Sequence, residues 1–280
     1  MILWEYSLNE ANYFAHGQSE QVLLHHTAWL FELCARRGYR VLPVLLYNRA
    51  EAEGSECNAY RPLLTELLVR RGLTGLDAQD LWRRDFAHLP VSRLYKDNPH
   101  YATDTGFPAA LAWSALERAV TAPVPRPDPA AFSGRDLSIA VPSGIDHVPF
   151  ANRILSCNIF PLRTALHVPL TGRLLACYLI ASAQEPAMSF RTDDESRGPY
   201  SARISPREEG PLRQLKHLLP WSSQIPPLRV RGDLVITIDA KPASKPIVQH
   251  TMAWQSGAAP GGTAGAASGG LIGLLAEAHA

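Results

Sequence analysis

The sequence predicts an α+β protein of two domains, and three features carry the prediction. The opening of the chain alternates strand, helix and strand. The stretch Ala122 to Ser133 is broken by Pro123, Pro125, Pro127 and Pro129. Beyond it the chain is mostly strand-like and closes on a glycine-rich segment. With 280 residues, 46% hydrophobic and 19% charged, the chain holds enough apolar material for one large core or two ordinary ones.

Met1 to Leu8 sets Ile2, Trp4 and Tyr6 on one face and is expected as a strand. Ser19 is expected to cap a helix reaching about Arg37, with Val22, Leu23, Trp29, Leu30 and Leu33 as its apolar stripe. Gly38 stops it, and Tyr39 to Tyr47 is the second strand. This order opens a βαβ-type unit such as a ferredoxin-like one. Tyr60 to Arg71, Asp77 to about Phe86 and Pro108 to Val120 are helices inserted after it. Proline fixes φ and removes an amide donor, so residues 123–135 are expected as an extended linker between a domain at 1–122 and another at 136–280. In the second domain Leu137 to Val141, Leu162 to Val168 and Arg173 to Ile180 are expected strands. Leu228 to Ile238 is another, with Val230, Leu234, Ile236 and Ile238 alternating against Arg229, Arg231 and Asp233. Arg191 to Ser205 is polar enough for an exposed loop. Pro211 to Leu219 and Ile247 to Gln255 are expected as short helices, and Leu271 to Leu275 as the last strand.

The net charge of +1 gives the whole chain no bias toward an anionic partner, so any nucleic-acid site must come from local clusters of its 27 Lys and Arg. Only Lys96, Lys216, Lys241 and Lys245 are lysines. Arginine suits bidentate phosphate contacts, although GC-rich coding produces the same usage. Cys34, Cys57, Cys157 and Cys177 form no C-x-x-C pair and no disulfide framework, which fits reduced thiols. There is no signal-peptide pattern and no apolar run long enough to span a bilayer, so a cytoplasmic chain with no membrane partner is expected. No Walker loop, G-x-S-x-G elbow or H-E-x-x-H is present, and neither cofactor nor metal is expected. Asp193, Asp194 and Glu195, beside Arg191 and Arg197, read as a solvated acidic loop rather than a divalent-ion site.

The most informative segment is the run Gly257, Gly261, Gly262, Gly265, Gly269, Gly270 and Gly273, which a flexible tail would also explain. Glycine lets backbone approach a ligand and offer amides to phosphate oxygens. The order of the Val230-Arg231-Gly232-Asp233-Leu234 strand, a short helix, the glycine-rich loop and Gly270-Leu271-Ile272-Gly273-Leu274-Leu275 resembles the C-terminal end of the RAMP superfamily. Within it the match is to the CRISPR RNA-processing endoribonucleases, including those of divergent type IV systems. The resemblance covers about the last fifty residues and departs from the family in having no Lys or Arg between Gly257 and Gly273. It implies two ferredoxin-like (RRM-like) domains with helical insertions, the glycine-rich loop lying on RNA.

The resemblance further implies a metal-independent endoribonuclease that cleaves CRISPR repeat RNA, a hairpin, through a 2′,3′-cyclic phosphate and retains the product among other CRISPR effector subunits. Such a reaction needs a base, an acid and a cation on the phosphorane. Family members use a histidine on or after the first helix, which here points to His25 or His26, with Arg37 or Arg40 as the cation. The bland alternatives are half-buried histidines and cations that balance the helix dipole. Candidate RNA contacts are Arg36, Arg70, Arg71, Arg83, Arg84, Arg93, Lys96 and the glycines Gly261, Gly262, Gly265, Gly269 and Gly270. In Trp82 to Tyr101 aromatics interleave with Arg, Lys and His, a mixture that suits stacked bases and also a solvated helix face. Two other readings stay open: a non-catalytic RAMP subunit holding guide RNA, and a protein-docking scaffold with no nucleic acid.

Overall fold

A computed structural model of the chain describes residues 1–152, 155–182, 185–204, 212–240, 249–255 and 269–279. The chain divides into two compact units, Met1–Ser133 and Gly134–Ala280.

The first unit runs β1 (Ile2–Trp4), α1 (Ser7–Ala15), α2 (Glu20–Arg36), β2 (Val41–Leu45), α3 (Arg49–Ala52), α4 (Tyr60–Arg70), β3 (Leu76–Asp77), α5 (Ala78–Asp85), α6 (Val91–Leu94), α7 (Phe107–Ala119) and α8 (Pro129–Phe132). Its three strands pair in the order β1-β2-β3, all parallel. Successive side chains of a strand face opposite ways, so β2 divides its residues between two cores. Val41 packs with Phe31, Tyr60, Leu64 and Leu67 of α2 and α4, whereas Leu42 and Val44 pack with Leu81, Phe107 and Leu111 of α5 and α7. A central parallel strand covered on both faces is the reason β2 is apolar throughout rather than alternating.

The proline segment is docked on this unit and is not a free linker. Val41 N–H donates to Pro123 O at 2.9 Å, Arg126 N–H to Arg71 O at 2.7 Å and Asp128 N–H to Glu32 Oε2 at 2.9 Å. Asp128 caps α8, and the Phe132 ring meets Trp29 edge-on with centroids 4.5 Å apart.

The second unit is built of strands: β4 (Arg135–Ala140), β5 (Val148–Ala151), β6 (Ser156–Ile159), β7 (Leu166–Ala181), β8 (Ala187–Arg191), β9 (Ser196–Ser201), β10 (Leu212–Leu218), β11 (Leu228–Asp239), β12 (Gln249–Gln255) and β13 (Gly270–His279). One antiparallel sheet follows the path β12-β10-β7-β11-β8-β9, with β13 joined to β7 and β4. The long strand β7 alternates over its first half, with Leu166, Val168 and Leu170 buried. It is buried on both faces from Leu174 to Cys177. The β5–β6 hairpin packs Phe150 and Ile159 against Ile180.

Mixed helix and sheet content stands as expected, but neither sheet is ferredoxin-like. That fold interleaves helices with an antiparallel sheet. Here the helical unit has only parallel strands, and the antiparallel unit has no helix among the described residues. Ser7 and Leu8 begin helix α1 instead of ending the first strand, Leu212–Leu218 and Gln249–Gln255 are strands instead of helices, and Ser196–Ser201 is a strand within the expected loop. Among the described residues no helix is long and apolar enough to cross a membrane.

Candidate active site

The carboxyl ends of parallel strands are where α/β sheets gather polar groups from successive loops. At the end of β1, the buried Ser7 hydroxyl accepts from Leu46 N–H at 3.2 Å and faces Val44 O at 3.5 Å, tying α1 to the end of β2. After β2 comes Tyr47, whose hydroxyl donates to Asp77 Oδ2 at 2.6 Å, at the end of β3. The other carboxylate oxygen, Oδ1, accepts from the Gln79 and Asp80 amides and caps α5. Tyr95 Oη donates to Tyr47 O at 3.0 Å, and Tyr47 N–H donates to Tyr101 Oη at 3.3 Å. Burial raises the hydroxyls of Tyr47, Tyr95 and Tyr101, which keeps them neutral.

Tyr95 and Tyr101 bridge to each other, their rings 4.6 Å apart. They form the base of a tight loop closed by Lys96 N–H to His100 O at 2.8 Å. At its tip Asp97 Oδ1 accepts from His100 N–H at 3.0 Å and lies 2.7 Å from His100 Nδ1. A carboxylate only accepts, so Nδ1 carries the proton and Nε2 is left as the basic nitrogen. The His100 side chain is 71% exposed and that of Asp97 49%, and among the described residues Asp97 is the only hydrogen-bond partner of the imidazole. An imidazole held by a carboxylate with Nε2 exposed is an arrangement able to accept a proton.

The histidines expected to act as the base lie elsewhere. His25 and His26 are half-buried on α2, their rings 6.2 Å apart, and His25 lies 6.4 Å from the Phe132 ring. Arg37, the C-cap of that helix, lies twelve residues beyond His25, about 18 Å at 1.5 Å per residue, so the expected pairing of the histidines with Arg37 does not form. Arg40 donates to Val120 O at 2.7 Å, and Arg36 to Glu32 Oε1 at 3.0 Å and Phe132 O at 2.7 Å.

Several expected RNA contacts are structural. Arg71 is 1% exposed and donates to Glu32 Oε2 at 2.7 Å, Arg126 O at 2.9 Å and Ala28 O at 3.1 Å, out of reach of a phosphate. Burial works to raise the Glu32 carboxyl, but hydrogen bonds from Arg71, the Asp128 amide and Arg36 outweigh it and hold the group below its ordinary value. Arg83 pairs with Asp80, Arg84 with Asp85, and Arg70 lies 4.0 Å from Asp128. Arg93 and Lys96 are exposed on and beside α6. Gly269 and Gly270 are buried and allow strands to approach closely. A Cβ on Gly270 would sit 2.6 Å from Phe160 O, and Gly269 N–H donates to Glu185 Oε1 at 2.5 Å. Gly261, Gly262 and Gly265 lie outside the described residues.

In the second unit the acidic run sits at the β8–β9 turn and lines, together with Arg229, Arg231 and Asp233, a cleft of about 440 Å³. Among the described residues no group of three or more His, Cys, Asp or Glu is arranged to hold a metal ion.

No protein-family model and no curated protein matches this chain. Among solved structures it is similar to a two-domain esterase (CEX) active on acetylated mannans, at 11% identity and a TM-score of 0.43 over 86% of this chain. The match spans 64% of that esterase's length. The repeat-RNA endoribonuclease expected from the sequence is corrected: the two ferredoxin-like sheets and the His–Arg cluster that the expectation needs are not formed.

In the sequence His100 stands out only as one member of a mixed run of cations and aromatics. The signal that could have singled it out is Asp97 three residues earlier in a loop, held between two aromatics that the core fixes.

Proposed function

We propose that this chain is a hydrolase of carboxylic esters in which His100, oriented by Asp97, is the general base. The observation that carries the reading is the 2.7 Å contact between His100 Nδ1 and Asp97 Oδ1, with Nε2 open at the exposed rim of the parallel sheet. Nε2 takes the proton from a hydroxyl nucleophile, water in the simplest case, as its oxygen attacks the ester carbonyl. The tetrahedral adduct then expels the alcohol oxygen, which receives the same proton from the imidazolium. Asp97 stays ionised and stabilises that imidazolium. Esters suit this arrangement better than amides, because an alkoxide leaves with less protonation than an amine does.

The test is hydrolysis of an aryl acetate by the full chain. Removing a positioned base costs about 10²–10⁴-fold in rate, so His100→Ala should lose that much and Asp97→Asn a large part of it. Equal rates for the parent and His100→Ala would end the proposal.

A further inference from the structure

We infer that Asn98 is the positioning residue of this site, holding the turn that sets Asp97 against His100; the inference rests on the proposed role of that pair. Asn98 lies inside the loop, exposed, and its two oxygens are used in the same direction. Its backbone carbonyl accepts from Arg49 N–H at 2.8 Å, and its side-chain Oδ1 accepts from Ala50 N–H at 3.1 Å. The next amide, Glu51 N–H, is taken by Asn48 Oδ1 at 2.7 Å. The first turn of a helix leaves its amides without intrahelical acceptors. Three successive donors of α3 are thus satisfied, two of them by Asn98.

Helix α3 is itself fixed to the sheet. Glu51 forms a two-pronged ion pair with Arg61, at 2.8 and 2.9 Å, and Arg61 donates to Leu46 O, just past β2, at 2.7 Å. A continuous path therefore runs from the end of β2 through Arg61, Glu51 and the α3 amides to Asn98, which sits next to Asp97 in the chain. Pro99 narrows the backbone of Asn98 to extended conformations, so the anchor leaves the turn little freedom. Asn98 is exposed and buries little apolar surface; its contacts act on the geometry of the base rather than on the core. A misplacement of about 1 Å in such a group costs as much as 10²-fold in rate.

The experiment compares the full parent chain with Asn98→Ala and Asn98→Asp. The tautomer of the His100 imidazole is read by nitrogen NMR, with kcat and KM on an aryl acetate and the unfolding midpoint measured alongside. Asn98→Ala should lose the single Nδ1–H tautomer and lower kcat by about 10- to 100-fold, with KM and the unfolding midpoint unchanged. Asn98→Asp keeps an acceptor for Ala50 N–H and should restore the tautomer. An unaltered tautomer in Asn98→Ala, a failure of Asp to restore it, or a lowered unfolding midpoint in Asn98→Ala would overturn the assignment. A chain that splits no ester but shows the tautomer changes would sink the hydrolase reading and leave Asn98 as the anchor of the pair.

Discussion

Two acid–base pairs of the first unit use the same chemistry for different ends. Glu32 and Arg71 meet at 2.7 Å with side chains 4% and 1% exposed, and backbone groups of the proline segment bond to each of them. Asp97 and His100 also meet at 2.7 Å, with 49% and 71% of their side chains in solvent. Burial makes the first pair costly to break, because a lone charge would be left without water. Exposure makes the second pair nearly irrelevant to stability. Glu10 is a third case. It is a buried carboxyl whose hydrogen-bond partners are the hydroxyls of Thr27 and Tyr60, the latter at 2.6 Å.

The comparison can be broken at its strongest point first. Arg71→Ala should destabilise the first unit by about 3–5 kcal/mol in urea unfolding, and Arg71→Met with Glu32→Leu should cost clearly less than Arg71→Ala alone. If Arg71→Ala is as stable as the parent, the proline segment is not pinned by this pair.

Glu10 sharpens the contrast through pH. Burial raises its carboxyl from 4.5 to about 7, against smaller lowering effects from Thr27, Tyr60 and Arg61. Below the lower value both folded and unfolded chains hold the proton, and its contribution to stability is fully present. As pH rises toward 7 only the unfolded chain releases it, so stability falls by about 3 kcal/mol, at 1.36 kcal/mol per pK unit. Unfolding measured at about pH 5 and about pH 8 should show that loss in the parent and little of it in Glu10→Gln; equal slopes would remove Glu10 from the account. The smallest effect belongs to the exposed pair. Asp97→Ala should change unfolding stability by less than about 1 kcal/mol, and a larger loss would make the pair architectural after all.

Elements are legible in the sequence where side chains are used repeatedly. Helices α2, α4, α5 and α7 were legible because apolar residues recur at helical spacing and because Ser19, Gly38, Gly72 and Asp77 mark their limits. Strand β11 was legible from its clean alternation. Strand β10 was not, since Leu212, Leu215, Leu218 and Leu219 imitate a helical stripe. The strand's buried face carries Gln214 and Lys216 beside Leu218, and Lys216 reaches the carbonyls of Ser201 and Arg203. Burial lowers that lysine to about 8. Polar residues facing inward hide a two-residue period. The candidate base was hidden for the opposite reason: a loop has no period, and only the fold puts the Asp97 turn over the start of α3.

The pairing of β13 with β4 and β7 bears on how the chain comes off the ribosome. Leu274 lies opposite Ala140 and Cys177, so the second sheet joins residues well over a hundred positions apart. Among the described residues strand β4, made early in that unit's synthesis, pairs in the sheet only with β13, whose last residue is His279. The first unit has its strands and the proline segment in hand by residue 133, whereas the second closes only once β13 has been made, as a high-contact-order step.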